Sequence, residues 1–312
     1  KLLGVTQRFL SWSLGLLLVA CNLGGAATPI GDFPAILLLG QGRMQFTDYL
    51  VAAAPPTAVA LALLIAIVMV VVRPTRDLDD GPVRRRLTIA VIVALYRNVR
   101  LDLRRLVPAG LALAAMIVAW MTVPPTVVGP ELICWLGVGA ALAVAPRDGE
   151  RLLRTRIEMD GALFLLALFV MVGAVSKAGA FAAIARWLTE LPVPAPLQLA
   201  LFLVLAAVLT GLFSAGPSMA GLLEVAAALA ARMSPTAVYV GLALAVCAGS
   251  SLFLTAATSG PMAQIMTERA GLRDPQGRTI SFGFFQFMPT GLLAFAVILA
   301  VGVGYAMLLV AA

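Results

Sequence analysis

Apolar residues occur in long stretches that alternate with short polar segments along most of the chain. Several stretches reach the roughly 20 residues that a helix needs to cross a bilayer, among them 50–72, 161–186 and 283–311. Two others, residues 10–40 and 237–262, are interrupted near their middle by Gly, Pro and small polar residues. The pattern predicts an all-α polytopic membrane protein in which some of the membrane helices are broken.

Composition supports a membrane protein over a soluble one. Of the 312 residues 62% are hydrophobic and 12% are charged, whereas about a quarter of the residues in soluble proteins are charged. The net charge of +7 comes largely from Arg between the apolar stretches, which indicates membrane topology and not a nucleic-acid partner. The chain has no His, and its three Cys have no paired spacing, so neither a zinc site nor a disulfide framework is predicted.

The arginines set the expected orientation. Residues 73–106 contain nine Arg and residues 147–160 contain four, whereas the link 124–130 contains none. By the positive-inside rule the two Arg-rich segments are cytoplasmic, in a bacterial inner membrane. Residues 197–231 then begin and end outside. Each half of this segment has only about 13–17 residues, against a usual minimum near 17 for a span, which favours a re-entrant hairpin over two short spans.

Two segments resemble each other in sequence and are expected to run in opposite directions. Residues 20–32 and 246–261 each interrupt an apolar helix with a Cys, small polar residues and an Ala-Ala-Thr step. Paired interruptions of this kind are typical of inverted-repeat transporters, whose substrate site lies between the two breaks. Close helix packing is the alternative explanation for any single small residue.

The repeat divides the chain into three parts. Residues 1–72 are the end of a first repeat, with the broken helix 10–40 and the span 50–72. Residues 73–106 are a cytoplasmic Arg-rich linker with an interfacial helix. The second repeat, 107–312, contains the spans 107–124, 130–146 and 161–186, the hairpin 197–231, the broken helix 237–262 and the span 283–311.

The block Asn22-Leu-Gly-Gly-Ala-Ala-Thr-Pro-Ile-Gly-Asp32 resembles the broken-helix signature of the ion transporter superfamily. That group includes NhaD-type sodium/proton antiporters, arsenite permeases and divalent-anion/sodium symporters. The segments that begin at Phe46 and Glu158 are similar to the same group, and the ending from Cys247 to Ile280 looks most like the NhaD branch. The resemblance implies two repeats, each with a re-entrant hairpin and a broken helix, and an N-terminal part that precedes Lys1.

One segment departs from the antiporter pattern. Antiporters of this type carry Asp-Asn-Val-Pro in the second hairpin, whereas this chain has Ser214-Ala-Gly-Pro217. The expected cation site therefore lacks a carboxylate and a carboxamide, and this absence keeps an anion permease as an alternative.

The residues expected to bind the ion or substrate lie at the two breaks and at the hairpin tip. Exposed half-helix ends can bind ions there, and the resemblance implies ion and proton handling for Asn22 and Asp32. The full set is Asn22, Gly24, Gly25, Thr28, Gly31, Asp32, Ser214, Ser218, Ser250, Ser251, Thr258 and Ser259.

Two acids lie within apolar segments, where a charge is costly and a functional role is expected. Asp32 is the first candidate for a proton or cation carrier, and its alternative role is an N-cap next to Pro34. Glu224 is the second candidate, with a structural alternative as the ion-pair partner of Arg232 or Lys177.

The sequence therefore predicts a secondary active transporter that moves a small ion by alternating access, with cation (sodium)/proton antiport as the first expectation. An anion permease for arsenite or dicarboxylate is the alternative within the superfamily. A membrane-embedded scaffold or enzyme is the alternative from another class, although no nucleophile and base occur together to support an enzyme. The expected partners are the lipid bilayer and a small inorganic ion or anion. A homodimer is left open, and no cofactor is expected beyond Na⁺ as a transported or coupling ion.

Overall fold

The computed structural model describes residues 6–76, 82–97, 102–124, 127–144, 149–151, 159–213, 215–256, 259–274 and 276–311. Regular structure in these residues is helical, apart from an isolated β-bridge between Arg273 and Thr279. Among the described residues, four helices are long and apolar enough to cross a membrane. The prediction of an all-α polytopic membrane protein is confirmed.

The helices are numbered here in chain order. They are α1 (Gln7–Ala27), α2 (Phe33–Gly40), α3 (Phe46–Ile67, continued by a π-helical turn Val68–Val72), α4 (Pro82–Tyr96), α5 (Leu103–Thr122), α6 (Pro130–Val144), α7 (Met159–Lys177), α8 (Ala180–Glu190), α9 (Ala195–Phe213), α10 (Ala215–Ala230), α11 (Pro235–Ser250), α12 (Ser259–Ala270) and α13 (Phe284–Ala311).

Helix α11 is the centre of the described chain. Ser234 caps its start by accepting a hydrogen bond from the backbone N–H of Ala237, and Pro235 follows the cap. Every residue from Ala237 to Ser250 is buried, because α9, α10 and α13 pack around this helix. A helix that is apolar on all sides is the expected result of such complete enclosure.

Both helices that were expected to be broken are interrupted. Residues 28–32 separate α1 from α2, and the segment from Ser251 separates α11 from α12. Helix α12 continues to Ala270, past the expected end at residue 262. The division into two repeats and the sidedness of the loops stay predictions.

The stretch 161–186, expected to be one span, is two helices. The axes of α7 and α8 meet at 59°. Gly179, between them, has a φ of +81°, a left-handed conformation that glycine adopts without a Cβ clash and that ends α7. Helix α8 then packs along α10, and it buries Ala185 and Leu188.

The expected hairpin 197–231 corresponds to α9 and α10, which contact each other on either side of residue 214. Residue 214 itself lies outside the described residues. Helix α9 has 19 residues and is long enough to cross a membrane. Helix length therefore no longer favours the re-entrant form, which stays a prediction.

Helices α4, α5 and α6 make few contacts with the other described helices. The interfacial helix corresponds to α4, and α5 begins after Asp102, whose side chain accepts the backbone N–H of Arg104. Helices α5 and α6 pack against each other and contact α2 and α3.

Candidate functional site

The two helix breaks lie next to each other in the structure. Nδ2 of Asn22, in α1, donates a hydrogen bond of 3.1 Å to Oγ of Ser251, at the end of α11. Helix α1 also contacts α12, and α2 contacts α11. The fold thus joins two segments that the sequence paired only by their resemblance.

A cavity of about 380 Å³ lies at this junction, and we call it the break cavity. Its lining residues are Cys21, Asn22, Gly25, Gly31, Asp32, Ile36 and Ser259. Asp32 directly precedes α2 and Ser259 is the first residue of α12, so the N-terminal ends of both half-helices border the cavity. None of the residues that line it in the described chain is Lys or Arg.

The first break follows from its local sequence. Pro29 has no backbone N–H and cannot continue α1, and Thr28 ends the helix with hydrogen bonds to Gly24 and Gly25 carbonyls at 3.4 and 3.3 Å. Gly31 then folds back against Gly25. A Cβ at Gly31 would lie 2.6 Å from the Gly25 Cα, so only glycine fits this approach. Asp32 occupies the N-cap position of α2.

Side-chain hydroxyls donate hydrogen bonds to carbonyls at the C-terminal ends of α1 and α11. The Tyr49 hydroxyl, fully buried in α3, donates a 2.8 Å hydrogen bond to the Ala26 carbonyl. In α11 the hydroxyls of Ser250 and Ser251 both donate to the Cys247 carbonyl, at 3.0 and 2.9 Å. The Cys247 carbonyl also accepts the Ser251 backbone N–H at 3.2 Å. Side-chain donors thus occupy lone pairs that would otherwise be available to a cation.

The predicted site residues fall into distinct groups. Asn22, Gly25, Gly31, Asp32 and Ser259 line the break cavity. Behind it lie Ser250 and Ser251, both buried. Thr28 caps α1, and Gly24 is exposed with open space around its α-carbon. The roles of all these residues stay predictions.

The predicted residues of the hairpin tip and of the second break are only partly described. Ser214 and Thr258 lie outside the described residues. Ser218, near the start of α10, has a buried hydroxyl with no hydrogen-bond partner in the described chain. It does not line the break cavity.

The two candidate acids lie in different places. Asp32 lines the break cavity, whereas Glu224 is exposed on α10 and accepts a 2.7 Å hydrogen bond from the Ser176 hydroxyl of α7. The expected partner Arg232 instead donates to the Thr189 carbonyl at 3.0 Å. Glu224 therefore connects α10 to α7, away from the cavity.

Three residues of the site were not predicted from the sequence, namely Tyr49, Cys21 and Ile36. A buried Tyr needs a partner for its hydroxyl, and Tyr49 lies in the segment from Phe46 that carries the family resemblance. Ile36 follows Asp32 by one helical turn, and that spacing places it on the same face of α2. These two signals could have identified Tyr49 and Ile36.

Comparison with known proteins identifies a family of transporters. The profile of the CitMHS family, described as citrate transporter, matches residues 5–249 and again residues 103–312. An uncharacterized transporter of Mycobacterium tuberculosis is 28% identical over 296 residues, or 92% of this chain and 64% of that protein. Magnetosome protein MamN of Paramagnetospirillum magneticum is 30% identical over 274 residues, or 86% of this chain and 61% of that protein. The chain spans less than two thirds of these relatives, and the predicted superfamily is confirmed.

Proposed function

The chain belongs to the citrate transporter family, and on this premise we propose that its two helix breaks bind a small carboxylate anion for cation-coupled secondary transport. The main support is the break cavity of about 380 Å³, which lies where both breaks meet. Its volume falls in the range of small-molecule pockets, about 300–1,000 Å³. A bare sodium ion needs only a few oxygen ligands and far less space.

The electrostatics of the two helix ends support an anion. The N-terminal end of a helix carries a positive partial charge and free N–H groups, which favour carboxylates and phosphates. The ends of α2 and α12 both border the cavity, together with the Asn22 amide and the Ser259 hydroxyl. The carbonyl ends of α1 and α11, which would suit a cation, already accept hydrogen bonds from Tyr49 and the two serines.

Asp32 supplies a reason for coupling to a cation. A carboxylate at the same cavity repels an anionic substrate, by about 4 kcal/mol for two unit charges 4 Å apart near a protein surface. Binding of the substrate therefore requires that Asp32 take up a proton or pair with a cation. Substrate and cation then bind together, as symport demands.

Cation/proton antiport, the first expectation from sequence, is the second candidate. Its supporting observation is that a carboxylate and a carboxamide, Asp32 and Asn22, line the same cavity. Their oxygens are suitable ligands for Na⁺. In this mechanism Asp32 exchanges a proton for the cation, and no organic anion enters.

The test is flux in proteoliposomes that contain the full-length protein. Radiolabelled citrate, succinate and arsenite are offered in turn under imposed pH and cation gradients, and Na⁺/H⁺ exchange is followed with a pH dye. We expect saturable carboxylate uptake that the imposed gradients stimulate in the wild type, and Asp32→Asn should lower that stimulation at least about tenfold, equivalent to about 1.4 kcal/mol.

Asp48→Asn is the matched control, because Asp48 is an exposed acid at the start of α3 and does not line the cavity. Its uptake should equal that of the wild type. Na⁺/H⁺ exchange without carboxylate uptake would establish the second candidate instead. Carboxylate uptake by Asp32→Asn that the pH and cation gradients still stimulate as in the wild type would refute the coupling role.

A further inference from the structure

We infer that Ile36 is a gate between the break cavity and a second cavity that serves as its entrance. The inference rests on the proposed function, since it takes the break cavity to be the transport site. The second cavity, of about 320 Å³, lies between α2 and the helices α5 and α6. Its lining includes Ile36 and Gly40 of α2, Trp120 of α5, and Glu131, Cys134 and Trp135 of α6.

Ile36 lines both cavities. Its backbone N–H donates to the Asp32 carbonyl at 3.1 Å, so it lies one turn after Asp32 on the same face of α2. The opposite face of α2 is fixed in the core, where Ala35 and Leu38 are 0% exposed against neighbouring helices. Ile36 is 50% exposed, and among the described residues it is the one that the linings of the two cavities share.

The chemistry of isoleucine suits a gate. A β-branched side chain on a helix strongly prefers one rotamer, so Ile36 has one defined side-chain position. An apolar constriction excludes hydrated ions until it widens. Widening requires that α6 separate from α2. Helices α5 and α6 pack chiefly against each other, which allows them to move as a pair.

The charge of the second cavity agrees with coupled transport. Glu131 is its lining carboxylate, and no Lys or Arg lines it in the described chain. A free anion is repelled there as it is at Asp32. A substrate whose charge is neutralised by the coupling cation is not repelled, so both cavities favour the same cargo.

Two native cysteines report on the two compartments. Cys21 lines the break cavity and Cys134 lines the second cavity, and both are exposed, whereas Cys247 is buried. Full-length protein in proteoliposomes is treated from each side with a charged, membrane-impermeant methanethiosulfonate. Variants keep either Cys21 or Cys134 as the sole accessible thiol.

From the side that labels Cys134, we expect Ile36→Trp to slow the modification of Cys21 at least about tenfold by closing the constriction. The rate at Cys134 should not change. Ile36→Ala should accelerate the modification of Cys21. Carboxylate uptake should fall with Trp.

Ile65→Trp is the matched control, because Ile65 is 40% exposed on α3 and lines neither cavity. An unchanged Cys21 rate in both Ile36 variants overturns the gate. If Ile36→Trp slows the modification of both cysteines, the Ala variant decides the question. Faster modification of Cys21 in Ile36→Ala supports the gate, and an unchanged rate overturns it. Labelling needs no transport, so a gated protein that takes up no carboxylate refutes only the proposed function.

Discussion

The first helix break, residues 28–32, and the second, which begins at Ser251, differ in what surrounds them. The first opens on the break cavity, and its α1 carbonyl end is capped by Tyr49 from another helix. The second follows α11, which is buried on every side and capped by its own serines. Similar sequences thus give two different results. Residues at and around the first break form most of the cavity lining, whereas the helix before the second break is enclosed in the core.

The largest effect should come from adding a methyl group in the last turn of α11, just before the second break. In Gly249→Ala the new Cβ would collide with the Ala207 carbonyl oxygen and lie 2.6 Å from the Thr210 Cβ, neither of which can rotate away. Overpacking of this kind costs about 1–3 kcal/mol or more. We expect a clear fall in the apparent unfolding temperature of the protein in detergent.

Gly24→Ala is the matched substitution in the last turn of α1, before the first break. Its Cβ meets nothing within 4 Å, and alanine is favoured over glycine inside a helix by about 0.5–1 kcal/mol. The unfolding temperature should stay the same or rise slightly. Equal destabilisation by the two substitutions would contradict the difference in packing between the breaks.

A smaller effect should separate the two ways of capping. Tyr49→Phe removes the hydroxyl that donates a hydrogen bond to the Ala26 carbonyl. An unsatisfied buried acceptor costs about 1–3 kcal/mol. Ser250→Ala should cost less, because the Cys247 carbonyl keeps the Ser251 hydroxyl at 2.9 Å and its N–H at 3.2 Å. Denaturation of both variants in detergent measures the difference. A larger loss for Ser250→Ala would show that the serine caps are not redundant.

The smallest effect concerns the loops that follow the two broken helices. After α12, Asp274 accepts the Arg278 backbone N–H and Nε, each at 2.7 Å. Desolvation opposes ionisation of Asp274, but the hydrogen bonds and charge of Arg278 outweigh it and lower its pKa below the usual value. The stabilisation is present above the unfolded-state pKa and is lost as pH falls through the lowered folded-state pKa.

We therefore expect amide hydrogen exchange in residues 273–279 to show lower protection in acid, and in Asp274→Asn already at neutral pH. The loop after α2 is the internal control, because backbone bonds such as Arg43 N–H to the Leu38 carbonyl, at 2.9 Å, do not titrate. Loss of protection in both loops at the same pH would point to general unfolding. Unchanged protection in Asp274→Asn would show that the carboxylate does not order the loop.

Much of the fold was predictable because its causes are local. Long apolar stretches predict helices in a bilayer, and Pro29 and Gly31 interrupt α1 wherever that helix packs. The resemblance of the two breaks also placed Asn22 and Ser251 in one hypothesis before the structure joined them. Gly179 was the exception, since a glycine in an apolar stretch does not reveal a 59° bend.

Sequence alone established a polytopic helical transporter, its breaks and Asp32 as the first acid to test. Only the tertiary structure decided that Gly25 borders the cavity while Gly24 does not, that Tyr49 caps α1, and that Ile36 adjoins two cavities. The physical reason is that lipid is as apolar as a protein core. Hydrophobic periodicity therefore does not separate a helix enclosed by protein, such as α11, from one that faces lipid, and only packing separates them.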